Sequence, residues 1–287
     1  MIKLNLFIPI TILPLIVSAQ LINVTGTPFN NISDFNPNYI KDKNIKSVSM
    51  QYASKRDGDL IIDHKIERIY YFNREGEPNQ EIYLEKRGES VDSLISLFEF
   101  DKHFKLTNQI DRYKKQENHH TIYYNSNGRV KQEILVEKTN KLSDTIMVKT
   151  YTEPYSDKHF AKRFILNTEN RPFIEQRFYY DSKRRLINLE EDLFITSKRR
   201  NKKWHYDNDL LIGISYLDEI NNKTKGKYRF EYQNNLQEFI YQYEKEELIK
   251  KTAFVYSVDE PTLLEALVIR YPKMEKIEII TLKYHYF

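Results

Sequence analysis

Pairs of aromatic residues spaced two apart, each followed by a short polar residue, recur along this chain. The series runs Tyr70/Phe72-Asn73, Phe98/Phe100-Asp101, Phe178/Tyr180-Asp181, Trp204/Tyr206-Asp207, Phe230/Tyr232-Gln233 and Phe254/Tyr256-Ser257, with two weaker members between, Ile122/Tyr124-Asn125 and Tyr155-Ser156, that lack the first aromatic. Its second positions lie 28, 24, 31, 25, 26, 26 and 24 residues apart. Residues i and i+2 share one face of a strand, so each pair sets two side chains on the same side. The polar residue then opens a turn, as in Asn73-Arg74-Glu75-Gly76, Asn125-Ser126-Asn127-Gly128 and Asp181-Ser182-Lys183-Arg184. Asn and Asp suit that place because their side chains bond the backbone two residues on, and Gly supplies a positive φ.

A second strand follows each turn, for example Val130-Lys131-Gln132-Glu133-Ile134-Leu135-Val136. Each repeat therefore reads as a β-hairpin. About eight hairpins, roughly sixteen strands, are expected from a period near 26 residues. The predicted fold class is all-β: an array of antiparallel β-hairpin repeats forming an extended or curled sheet over residues 45–287. Residues 20–44, with Pro28 and Pro37, read as an irregular leader, and Lys276–Tyr284 as a closing strand. Tyr243–Lys251 and Thr262–Leu267 have short helical readings, but their β-branched and aromatic neighbours favour strand. No single repeat can bury its aromatic face alone, so the array is expected to be one cooperative domain.

The first residues change the picture of where the chain acts. One cation, Lys3, precedes an apolar run from Leu4 to Val17 that ends in Val17-Ser18-Ala19. The run is shorter than the roughly 20 residues a membrane-spanning helix needs. Residues 1–19 thus read as a cleavable signal peptide, with the mature chain starting near Gln20 and acting in the periplasm or at the cell surface. No second long apolar stretch follows, so no transmembrane segment is expected in the mature chain. The sequence has no Cys, so neither lipid attachment through cysteine nor disulfides can contribute. With 45 basic and 41 acidic residues the charge is nearly balanced, which argues against nucleic acid as a partner.

The run Phe178-Tyr179-Tyr180-Asp181-Ser182-Lys183-Arg184-Arg185-Leu186, and Tyr124-Asn125-Ser126-Asn127-Gly128-Arg129-Val130, resemble the YD (rearrangement-hotspot) repeat. Exported bacterial hairpin repeats of the MORN-variant type have a related look. The resemblance covers residues 60–257 and implies a long antiparallel sheet curled into a shell or spiral. It departs from that pattern in its longer period and in lacking most turn glycines, and it implies nothing about activity.

Candidate chemistry is sparse. Lys198, Arg199, Arg200, Lys202 and Lys203 beside Trp204 form the strongest charge feature. Such a patch suits a phosphate, an acidic glycan or an anionic lipid surface, and equally a solvated hairpin turn. Asp101-Lys102-His103-Phe104 recurs as Asp157-Lys158-His159-Phe160, which repeat-derived turn chemistry explains without a metal. His119-His120 reads as a surface pair, and Glu190-Glu191-Asp192 alternates faces, so it is no hydrolytic carboxylate pair. No Gly-rich phosphate loop, nucleophile elbow or zinc signature is present, and neither cofactor nor metal is expected.

These observations favour an exported, non-enzymatic binding or scaffolding protein with an unknown protein or glycan partner. An exported hydrolase acting on glycans, its carboxylates drawn from separate repeats, is the alternative. An outer-membrane barrel fits the strand number and terminal Phe287, but His285, Lys283 and Thr281 are a poor lipid-facing series.

Overall fold

The computed structural model describes residues 20–22, 34–139, 142–217 and 224–287. The expected signal at 1–19 lies outside the described residues, as does 23–33 of the leader. A helix, α1 (Pro37–Asp42), precedes the strands β1 (Ile45–Arg56), β2 (Ile62–Phe72), β3 (Pro78–Arg87), β4 (Ser90–Phe100), β5 (Leu106–Tyr113) and β6 (Gln116–Tyr124). There follow β7 (Val130–Thr139), β8 (Ser143–Ser156), β9 (Phe160–Leu166), β10 (Pro172–Tyr180), β11 (Leu186–Leu193) and β12 (Lys198–Asp207). The last six are β13 (Leu210–Leu217), β14 (Thr224–Gln233), β15 (Leu236–Glu244), β16 (Glu247–Tyr256), β17 (Leu264–Tyr271) and β18 (Lys276–Tyr286).

Each strand pairs antiparallel with its sequence neighbours. β1 also pairs with β18, so that Val48 lies opposite Tyr70 on one side and Tyr284 on the other. The 18-stranded sheet is therefore a closed up-and-down barrel with no free edge. An even strand number is what lets an alternating meander close antiparallel. This corrects the expected architecture: the hairpins are as expected, but the sheet closes on itself and is neither extended nor spiral. The shell implied by the YD-like and MORN-variant resemblance is corrected with it.

The repeat signature explains the closure. A register shift recurs at Tyr71/Phe72, Glu99/Phe100, Tyr123/Tyr124, Tyr179/Tyr180, His205/Tyr206, Glu231/Tyr232 and Val255/Tyr256. These bulges fall at the second position of the aromatic pair, next to the turn. Bulges bend a strand and increase its twist, so bulges repeated at one rim curl the sheet toward a barrel. We call this end, where even-numbered strands finish, the upper rim. Its turns are built as the sequence anticipates: Asn73 Oδ1 accepts from the Glu75 and Glu77 N–H groups, and Asn125 Oδ1 from those of Asn127 and Arg129. Gly128 closes its turn at φ +72°. The two stretches with a helical reading are a hairpin of β15–β16 and the approach to β17.

The core lies where the N-terminal segment meets the barrel. Leu21, Ile22, Phe35, Tyr39 and Ile40 cluster with Ile45, Val48, Tyr70, Phe72, Ile214, Phe230, Ile240, Phe254, Leu267 and Leu282. Those partners span β13 through β18 and on to β1 and β2, eight consecutive strands of the ring. At about 4.8 Å per strand, so short a segment reaches them all only if the sheet wraps around it. The segment is therefore an internal plug. Asn36 caps α1 through the Tyr39 N–H, the Tyr39 hydroxyl donates to the Thr262 carbonyl at 2.9 Å, and Lys43 pairs with Glu260.

Candidate functional site

The face that meets the plug is the inner face, and the ladder registers carry it round the ring. Over β13–β18, β1 and β2 it carries the apolar residues that meet the plug, together with Arg68, Gln237, Lys250, Thr252 and Glu278. Over β3–β12 it mixes apolar residues such as Phe98 and Ile165 with a series of polar ones. From Tyr70 the register passes to Glu81, Ser96, Asp111 and Asn118, and further round from Arg163 to Gln176, Glu191 and Arg200. The barrel interior thus has one side that meets the plug through apolar residues and another, over β3–β12, that carries the polar networks.

Two networks organise the side over β3–β12. Glu133 accepts from the Tyr151 hydroxyl at 2.9 Å, with His120 Nε2 at 3.7 Å and Lys149 Nζ at 3.9 Å. The His120 ring, the Tyr151 hydroxyl and Lys149 together hold the Glu133 carboxyl below its ordinary value, against the opposing effect of burial. Burial first, and then the Glu133 carboxylate, push the Tyr151 phenol up. In the second network Arg163 donates twice to Gln176 Oε1, at 2.9 and 2.7 Å, and Gln176 passes its own N–H to Glu191 at 2.6 Å. The Arg163 guanidinium also lies 4.9 Å from the ring centres of Tyr151 and Phe178.

The basic run identified in the sequence lies on strand β12, not in a turn, and strand alternation divides it. Lys198, Arg200, Lys202 and Trp204 share the inner face, since Lys202 pairs with Tyr216 and Trp204 with Ile214 of the core. Arg199 and Lys203 point outward, and Arg199 is bound by Asp192 at 2.7 Å. The Lys202 ammonium stands 4.7 Å from the Trp204 ring centre and 5.4 Å from that of Tyr216. Burial draws its pKa down, partly offset by Glu191.

The other sequence candidates resolve into turn or surface chemistry. Asp101 Oδ1 accepts from the His103 N–H at 2.8 Å and Asp157 Oδ1 from that of His159 at 2.7 Å, so both Asp-x-His motifs are Asx turns. Glu190 and Asp192 face outward around Arg177, at 3.2 and 2.6 Å, while Glu191 faces inward. His119 lies outward beside Glu117 at 3.0 Å, but its neighbour His120 faces Glu133 inside the barrel. A cavity of about 180 Å³ bordered by Glu99, Asn108 and His119 gathers no set of metal ligands, and no cluster of three or more metal-binding side chains occurs among the described residues. Sequence reasoning missed Glu133, Tyr151, Arg163 and Gln176, because only the closed register shows that they line one interior.

The outer face is charged at mid-height. Lys162, Glu175, Arg177, Glu190, Asp192 and Arg199 form one continuous outward ladder across β9–β12. A lipid-facing barrel needs an unbroken apolar band there. No helix among the described residues is long and apolar enough to cross a membrane.

No family model matches the chain, so none supports the YD-like and MORN-variant resemblance. No curated protein matches it either. Among solved structures it is similar to a porin-like protein from Bacteroides uniformis, at 8% identity and TM-score 0.38 over 84% of this chain and 98% of that one. A porin-like protein from Bacteroides vulgatus gives 12% identity and TM-score 0.32, over 71% and 97% of the two chains. A putative outer membrane lipoprotein-sorting protein domain from Vibrio parahaemolyticus gives 8% identity and TM-score 0.20, over 87% and 91%. Likenesses this slight carry no argument about function, which rests on the geometry of the barrel itself.

Proposed function

We propose that this is an exported, non-enzymatic binding protein of the periplasm or cell surface, and that its ligand is held against the polar networks of the barrel interior. The observation that carries the proposal is the division of that interior. The plug packs against the apolar residues of β13–β18, β1 and β2, whereas the face of β3–β12 presents Glu133, Arg163, Gln176 and Glu191 in ordered networks. Polar groups preorganised on a rigid sheet, beside aromatic rings, are what a binding site for a polar ligand requires. The charged outer ladder supports a barrel surrounded by water. The export signal read in residues 1–19 supports the compartment.

The test is photo-crosslinking in cells that produce the protein. Tyr151 on the inner face and Tyr123 on the outer face are replaced one at a time by benzoylphenylalanine, and the adducts are identified by mass spectrometry. The proposal expects a reproducible adduct of one chemical kind from position 151 and none of that kind from position 123. Equal adducts from both positions, or none from 151, would contradict it.

A further inference from the structure

The inward half of the basic run is a site in its own right. Lys198, Arg200 and Lys202 stand on alternate residues of β12 and face the barrel interior, and Trp204 follows them on the same face. Among the described residues none of these three cations forms an ion pair, whereas outward Arg199 is paired to Asp192. Glu191, directly opposite Arg200 in the ladder, is committed to Gln176 at 2.6 Å. The Lys202 ammonium has instead the ring faces of Trp204 and Tyr216. Tyr216 is 37% exposed.

We propose that Arg200, Lys202, Trp204 and Tyr216 form a binding site for an acidic sugar chain, one whose rings carry carboxylates. Guanidinium and ammonium groups bind an oxyanion through charge-assisted hydrogen bonds. An aromatic ring within reach of those cations offers an apolar surface to the hydrogen-bearing face of a pyranose ring. A simple inorganic anion would use the cations and leave the rings idle, and a neutral sugar would do the reverse. The inference rests on the binding reading above and names its ligand class.

Trp204 is the only tryptophan in the chain, so its fluorescence reports this site alone. The intact mature protein is titrated with trigalacturonic acid, maltotriose and inorganic phosphate. The acidic trimer should give a saturable change in Trp204 emission, at least tenfold tighter than either other probe. Lys202→Gln should weaken it about tenfold or more, and the outward Lys203→Gln should leave it unchanged. A circular dichroism melt confirms that both variants are folded, and Arg200→Gln provides an independent removal of charge. No saturable response to the acidic trimer would overturn the inference, as would equal binding of maltotriose or phosphate, or equal loss in the Lys203 variant. Those failures would concern the ligand class alone, because the crosslinking from position 151 decides separately whether anything binds in the interior.

Discussion

The hydroxyl of Tyr256 donates to the backbone carbonyl of Gln237 at 2.8 Å, bridging the end of β16 to the start of β15. The same bond joins Tyr124 to Leu106 at 2.8 Å, Tyr206 to Leu186 at 3.2 Å and Tyr232 to Leu211 at 2.9 Å, and Tyr284 reaches Leu264 in the same way. In the first four cases the second position of the repeat fastens its strand to the preceding one at the upper rim, and Tyr284 does the same for β18. Burial drives these phenols up, Tyr232 to about 12, so they remain hydrogen-bond donors throughout the physiological range.

Removing a latch should therefore cost stability and leave the interior chemistry alone. Tyr256→Phe keeps the ring and deletes one bond, for an expected loss of about 0.5–1.5 kcal/mol. Tyr256→Phe combined with Tyr124→Phe, on well-separated strands, should be additive in urea unfolding. A loss indistinguishable from zero in both single variants would show that the latches only accompany the bulges.

The plug should be released by a methyl group in a turn. A Cβ on Gly76 would lie 2.0 Å from the Pro37 carbonyl oxygen at the start of α1, and Gly76 has φ +87°. Gly58 has the same φ with nothing within 4 Å of a Cβ. Both Ala variants carry the backbone cost of about 1–2 kcal/mol for a left-handed L-residue. Only Gly76→Ala adds a clash with backbone. Limited proteolysis should then cleave the N-terminal segment faster in Gly76→Ala than in Gly58→Ala, and equal rates would contradict the plug.

Burial of the plug should carry much of the barrel's stability. Ile40 is completely buried, and truncating such a side chain costs about 2–5 kcal/mol. Ile40→Ala should lower the unfolding midpoint of the whole barrel in one transition. A change confined to N-terminal proteolysis would mean that the ring is stable without its plug.

Glu133 predicts a specific acid response. Its folded pKa lies below the ordinary 4.5, so its ionised form contributes stability that is complete above that value and is lost as pH falls through the lower folded one. Glu133→Gln should flatten this part of the acid-unfolding profile and leave stability near neutrality less dependent on Tyr151 and Lys149. Parallel profiles for wild type and variant would contradict the network.

Lys202 predicts a trade between stability and binding. Its charge is partly desolvated, so the folded state disfavours the protonated amine. That cost is present at neutral pH and relieved as pH rises through the lowered folded pKa toward the ordinary 10.5. Lys202→Met should hold or raise the melting temperature while abolishing the acidic-sugar response. A variant that melts lower would mean that Lys202 serves packing instead.

Much of this architecture is written locally in the sequence. The aromatic pair, the Asn or Asp after it and the period near 26 residues identify hairpins, and the Asx turns at Asn73, Asn125 and Asp181 form as their residues dictate. Closure is not local. It depends on the pairing of Val48 with Tyr284, 236 residues apart in number, and on bulges whose position within the aromatic pair is visible only in the register. The closing strand, read correctly over Lys276–Tyr284, does not show itself as a ninth member of the repeat because Leu282 stands where the first aromatic is expected before Tyr284. The basic run was legible as charge. Its division into Arg199 and Lys203 outside, with Arg200 and Lys202 inside, required knowing that it is a strand and which face is concave.

Closure is the claim on which the interior, the plug and the proposed site all depend, and a single engineered crosslink tests it. Gln51 on β1 and Thr281 on β18 are directly opposite and both exposed on the outer face. The chain has no Cys of its own, so a Gln51→Cys, Thr281→Cys variant can form only that one intramolecular disulfide. The closed barrel predicts near-complete oxidation to a monomeric crosslinked product, with the native fold and melting behaviour retained. An open array would separate its end strands by roughly 80 Å at about 4.8 Å per strand. A variant that stays reduced as a monomer, or oxidises only to intermolecular dimers, would contradict the closed barrel.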